Sequence, residues 1–289
     1  MFPLSYDVHH AGFVLPHGPY GSEDDRFLDF TGGGAMRFRK QRLGIYLASD
    51  LFTSSYNKAS GAVSRKPLAS MARGKRLYYT GEILDQWDLD VLMHCAMQSR
   101  LPPDASGQFK TSPAVMLREL GLRNDQRNRD RIYASLSRLH SGCLEIAGKR
   151  YTYMTRLLNR ALLDRDRQLC LLEANADLVA AFQRGARSAL DFRDRLTLGR
   201  NGMAKWLHGI LLVFRGGFSA NMTALRRLCG AERFTARAFA ARTAKALELL
   251  SDARLVSGWE MDGDVVRVMA SPAEPRRTAC GYIARAADA

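Results

Sequence analysis

Two glycines in matching register constrain this chain more than any other feature. Phe109 to Gly121 and Phe218 to Gly230 span the same interval of 12 residues. In the first half, Leu84, Trp87, Val91, Leu92 and Cys95 recur at helical spacing, in a stripe that ends before Pro102-Pro103. A short strand at Gln108-Phe-Lys-Thr111 leads to Ser112-Pro113, an N-cap followed by proline at the first helical position. The helix that opens there carries Val115, Met116 and Leu120 and stops at Gly121. A polar turn, Arg123-Asn-Asp-Gln126, precedes a third helix that runs through Leu139 to Ser141-Gly142. Leu144-Glu-Ile-Ala147 and Tyr151-Thr-Tyr-Met154 then alternate around Gly148-Lys149, a hairpin signal. A strand over Gln168–Leu172 and a helix over Ala176–Phe182 close this half.

The second half replays the scheme. A helix is expected over about Arg200–Phe214, a strand from Phe218, and a helix from about Thr223 to Cys229-Gly230. A long helix over about Arg233–Leu250 follows, and then a hairpin around Asp262-Gly263. Helix, strand, helix, helix, hairpin is the order of a winged helix. The expected fold class is therefore α+β and helix-rich, with two tandem winged-helix domains at 76–185 and 186–272 and a tail at 273–289. Residues 1–75 differ in composition: Gly32-Gly-Gly34, the acidic Glu23-Asp-Asp25, the basic string Arg37–Arg42 and a loose basic stretch from Lys58 to Arg76. They read as a basic, weakly structured N-terminal arm, with a short strand at Leu43–Leu47.

Charge narrows the partner. Among 289 residues, 43 Lys+Arg against 29 Asp+Glu leave a net +14, which points to a polyanion, nucleic acid first and anionic membrane second. In a helix-turn-helix the second helix of the pair enters the major groove. At about 100° per residue, Phe239, Thr243, Ala246 and Leu250 gather on one side of the later long helix. Arg233, Arg237 and Lys245 fall opposite, with Arg242 at the edge. On the earlier long helix Ile132, Leu136 and Leu139 form the core stripe, while Arg127, Arg131 and Arg138 share another face with Asn124. Arginine reads guanine or phosphate bidentately and asparagine can read adenine. Lys149 and Arg150, at the first hairpin tip, suit backbone contact, whereas the second tip, Asp262-Gly-Asp264, is acidic. One basic helix face alone is ordinary solvent exposure; two of them, both in the reading position, favour DNA.

Other chemistries find little footing. The longest apolar run, Gly209–Phe214, is far shorter than the roughly 18 residues of a membrane span, and the first residues lack the build of a secretory signal. Five scattered cysteines suggest neither a disulfide framework nor zinc, and a reducing cytoplasm fits them. No phosphate loop and no paired histidine ligands occur. Asp85, Asp88 and Asp90, the carboxylates most able to hold Mg²⁺, are explained as the exposed face of an amphipathic helix. No catalytic residue, metal or cofactor is expected. Tyr133 and Tyr153 lack the clustered histidines or arginines that a relaxase or recombinase places beside its tyrosine.

Trp206-Leu-His-Gly209, Leu225-Arg226 with Leu228-Cys-Gly230, and Trp259-Glu260 with Asp262-Gly-Asp-Val265 resemble signature positions of the TrfA-type plasmid replication initiators. Tyr79-Thr-Gly81 and Leu136-Ser-Arg-Leu139 are similar as well, and the resemblance covers roughly residues 48–268. It implies binding to repeated origin sites (iterons), opening of adjacent AT-rich DNA, and recruitment of host helicase and an origin-binding initiator. It also implies a monomer–dimer equilibrium and no nucleotide hydrolysis. The family's clamp-binding pentapeptide corresponds to Arg26-Phe-Leu-Asp-Phe30, which keeps only the last aromatic. The alternatives within reach are a winged-helix transcriptional repressor and, from another class, a DNA-processing enzyme.

Overall fold

In the computed structural model, residues 13–14, 44–55, 61–70, 75–99, 108–148, 151–183, 188–214 and 217–271 are described. Ahead of the first long helix lie the short strand β1 (Phe13–Val14), one helical turn at 44–47, and β2 (Phe52–Thr53). They are followed by β3 (Ala62–Leu68), β4 (Arg76–Glu82) and β5 (Leu84–Asp85). Helix α1 (Gln86–Gln98) starts on a capping box: Asp85 accepts from the backbone N–H groups of Trp87 and Asp88, and Asp88 accepts from that of Asp85.

After β6 (Gln108–Thr111), Ser112 caps α2 (Pro113–Glu119) with proline in its first turn, and Asp125 caps α3 (Gln126–Ser141). Next come β7 (Cys143–Ala147), β8 (Thr152–Arg156), β9 (Leu158–Asp164), β10 (Leu169–Ala174), α4 (Ala176–Gln183) and α5 (Ser188–Thr197). The second half is α6 (Gly202–Val213), β11 (Phe218–Asn221), α7 (Met222–Leu228), α8 (Ala236–Asp252), β12 (Val256–Asp262) and β13 (Val265–Ala270).

The repeated glycines do the same work in both halves. Gly121 and Gly230 sit at φ +70° and +65°, a left-handed conformation that glycine adopts without a steric cost. Each terminates its helix with the same pair of bonds. Gly121 N–H donates to Arg118 O and Leu122 N–H to Leu117 O; Gly230 N–H donates to Arg227 O and Ala231 N–H to Arg226 O. The matched phenylalanines also hold equivalent places, Phe109 opposite Leu172 and Phe218 opposite Val268.

The sheets correct one expectation. The hairpin β7–β8, read as the wing of the first half, instead extends β3–β4 into a four-stranded sheet in the order β3-β4-β7-β8. The strand that pairs with β6 is β10, in a three-stranded sheet β6-β10-β9. The second half has the matching arrangement, β11-β13-β12, with β1 parallel on the outer side of β11. The alternation in 144–154 signalled a hairpin correctly, but periodicity is local and does not say which strand a hairpin lies beside.

The arm reading also changes from residue 44 onward. Residues 44–47 form a helical turn, not a strand, and Ile45, Leu47, Leu51 and Phe52 are buried in the core. The segment runs as a strap between the halves. Ser54 N–H donates to Cys229 O (2.9 Å), Trp206 Nε1 donates to Ser49 O (3.1 Å), and Gln86 Nε2 donates to Phe52 O (2.7 Å). Asp50 accepts from Lys66 Nζ and from Ala69 N–H, both at 2.8 Å. Burying Phe52 fully is worth about 1.5–3 kcal/mol. The basic string 37–42, the glycine run, Arg26–Phe30 and the tail 273–289 lie outside the described residues.

Candidate nucleic-acid interface

Helix α8 has the faces that its periodicity requires. Phe239, Thr243, Ala246, Leu247 and Leu250 are buried, and Thr235 caps the N-terminus by accepting from Ala238 N–H. Arg237, Ala238, Ala241, Arg242 and Lys245 are exposed, and the acids Glu248 and Asp252 come only at the C-terminal end. Among the described residues no carboxylate is ion-paired with Arg237, Arg242 or Lys245. Phe234 organises the start of this face. Arg242 lies 4.4 Å and Arg233 5.0 Å from its ring centre, and Arg226 donates to its carbonyl at 3.1 Å. The result is a rigidly backed cationic surface with small residues between the charges. Such a surface suits a phosphate-lined groove.

Helix α3 is different. Its stripe of Ile132, Leu136 and Leu139 is buried as expected, with Tyr133 and Ser135 beside it. Its exposed line is Arg127, Asp130, Ala134, Ser137 and Ser141, in which one base and one acid cancel. Arg131 stacks over Trp87 with 4.0 Å to the ring centre. Arg138 donates to Asp88 through Nη2 at 2.7 Å and through Nε at 3.3 Å. Arg138 therefore serves the interior rather than an outer face. Asn124 is exposed, but its side-chain oxygen already accepts from Arg129 at 2.9 Å.

The acids that Arg138 and its neighbours serve were expected at the surface. Asp88 and Asp90 are instead 1% exposed, because α1 is covered on all sides from Gln86 to Ala96. Burial and the nearby Asp88 push the Asp85 carboxyl up to about 6. His94 and His208 are held neutral by burial, pushed down to about 4 and about 3, the latter helped by Arg195 and Lys205. Among the described residues no three His, Cys, Asp or Glu groups come together as a metal site. Among them, too, no helix is long and apolar enough to cross a membrane.

Lys149 and Arg150 lie outside the described residues. The hairpin beside β6 brings forward other basic groups, which the sequence reading did not single out. Arg160, Arg165 and Arg167 are exposed on β9 and its turn, with Arg165 5.0 Å from the Tyr133 ring centre and Arg167 3.7 Å from Asp164. Their signal was the Arg165-Asp-Arg167 turn between two apolar stretches. In the second half the acidic turn is structural. Gly263 takes φ +55°, Asp264 accepts from the Asn221 side chain, and its carbonyl accepts from Met222 N–H at 2.8 Å.

No protein-family model matches the sequence, and no curated protein matches it. Solved structures do. The crystal structure of domains 2 and 3 of RctB matches with a TM-score of 0.55 at 12% identity, covering 81% of this chain and 99% of that one. A second structure of RctB domains 2–3 has a TM-score of 0.46 at 12% identity, covering 76% and 95%. At this identity the first match establishes a shared fold over most of the chain.

Proposed function

We propose that this chain is a replication initiator that binds double-stranded DNA through two winged-helix halves. The observation that carries the reading is the repeated strand pairing, β6 with β10 and β11 with β13, each beside a glycine-terminated helix and a long helix. In the second half that long helix carries Arg237, Arg242 and Lys245 outward. The shared fold with the RctB initiator domains supports the same reading, as does the resemblance to TrfA-type initiators. In this reading α8 enters a major groove and reads bases through Arg237. Arg233, Arg242 and the β9–β10 arginines grip phosphate. Helix α3, with Ala134 and Ser137 outward, supplies shape rather than charge.

The remaining parts of the proposal follow from this role. The target is a repeated origin site, and strain placed on the DNA lowers the cost of opening nearby AT-rich steps. Helicase and an origin-binding initiator are recruited as partners, since the chain is read as a non-enzyme that works without cofactor or metal. Monomer and dimer exchange, and the protein acts in the bacterial cytoplasm on plasmid or nucleoid DNA.

The test is selection of bound duplexes from a random pool, followed by footprinting and a salt titration. Recurrent selected motifs are expected. With about eight phosphates neutralised, log K against log salt falls with a slope near −7, at about −0.9 per contact. No enriched motif, or a slope shallower than about −3, overturns the reading. A covalent protein–DNA adduct would instead revive the DNA-processing alternative.

A further inference from the structure

The two halves meet across buried charge. Asp90 stands on α1, Arg195 on α5 and Lys205 on α6, and all three are at most 4% exposed. One oxygen of Asp90 accepts from Arg195 Nε at 2.7 Å and the other accepts from Lys205 Nζ at 2.5 Å. Arg195 also donates to the carbonyl of Lys205 and the side-chain oxygen of Gln86, both at 2.7 Å, and to the Gln86 carbonyl at 3.3 Å. Gln86 passes the chain of bonds on to the Phe52 carbonyl of the strap. First half, connecting helix, second half and strap are thus joined through one carboxylate.

We propose that Asp90 is a positioning residue that holds the two halves at one fixed angle. Apolar side chains tolerate repacking when surfaces slide. A buried carboxylate gripped by two cations does not, because a rotation that pulls either pair apart strands a charge where no water replaces it. Chain order gives the clamp its leverage: Asp90 precedes α3, Lys205 precedes α8, and Arg195 lies on the helix between. The consequence for DNA, a fixed separation between the segments met by α3 and α8, rests on the DNA-binding reading. The fixed angle itself does not.

The experiment measures the angle without DNA. Spin labels are placed at Ser137→Cys on α3 and Ala241→Cys on α8, both exposed, in a full-length Cys143→Ser, Cys280→Ser background. Cys95, Cys170 and Cys229 are buried. Pulsed dipolar spectroscopy should give one narrow distance distribution. Lys205→Met, which leaves Asp90 paired with Arg195, should widen it about twofold or more. Leu117→Ala, a core truncation inside the first half, should leave the width unchanged. Asp90→Asn should widen it further if it folds, and Lys205→Met decides the matter if it does not. A folded Lys205→Met protein with the parental width overturns the proposal, as does equal widening by Leu117→Ala. A protein that selects no DNA motif yet shows the widening keeps the clamp and loses only the functional reading.

Discussion

Removing the Arg138 side chain should damage the fold and spare the DNA. Asp88 is 1% exposed, and its two oxygens receive Arg138 at 2.7 and 3.3 Å, Ser135 Oγ at 2.6 Å and Asp85 N–H at 3.1 Å. Breaking a buried ion pair from one side costs about 3–5 kcal/mol, because the other charge is left behind. Here the cost is smaller, since the Arg138 side chain is 22% exposed. Water can enter its space, and two hydrogen bonds to Asp88 survive. Arg138→Ala should therefore cost about 2–3 kcal/mol. In a chain of this size that is a fall in Tm of about 4–12 °C, at roughly 2–4 °C per kcal/mol. Arg138→Met with Asp88→Asn should recover part of the loss, with a coupling of about 1–2 kcal/mol in the double-mutant cycle. Thermal unfolding measures the stability, and titration of the selected duplex well below the transition measures the affinity, expected within about twofold of the parent. A Tm within a degree of the parent together with a tenfold loss of affinity would refute the assignment and return Arg138 to the DNA surface.

The outward face of α8 gives the opposite pattern: Arg237→Ala should cost about 1–3 kcal/mol on the selected duplex and much less on scrambled DNA, with Tm unchanged. Equal losses on the two duplexes in a competition titration would remove Arg237 from base reading. Arg242→Ala should weaken both duplexes alike and reduce the salt slope by about one; a sequence-dependent loss would contradict its role as a phosphate contact. Specific binding should survive EDTA and the absence of ATP, and its loss in EDTA would expose a metal requirement. Asp85, raised to about 6 in the fold, binds its proton more tightly there than in the unfolded chain. Its contribution to stability is therefore greatest below its unfolded value and is lost as pH rises through about 6. Asp85→Asn keeps the helix cap and should raise Tm at pH 7.5 more than at pH 5; a pH-independent difference would show that Asp85 titrates normally.

The sequence by itself determined the features that depend on near neighbours. Ser112-Pro113 caps its helix where short-range hydrogen bonding places it, and Gly121 and Gly230 end α2 and α7 because only a few residues are involved in each closure. The 3.6-residue period likewise gave the buried stripes of α3 and α8, and with the latter the outward Arg237, Arg242 and Lys245. Tertiary structure decided everything that turns on a partner far along the chain. The polar face of α1 looked solvated because charges usually are, yet Asp88 meets Arg138 50 residues on and Asp90 meets Arg195 105 residues on. The hairpin 143–156 was legible, but its neighbour β4 lies before α1, and β6 took β10 instead. The strap at 44–55, whose Ile45, Leu47, Leu51 and Phe52 follow a basic string and so read as part of the arm, became core because both halves close over it. A periodicity reports which side of an element is apolar; only packing reports what a charged side will find there, since a buried ion is tolerable only where a distant partner arrives to meet it.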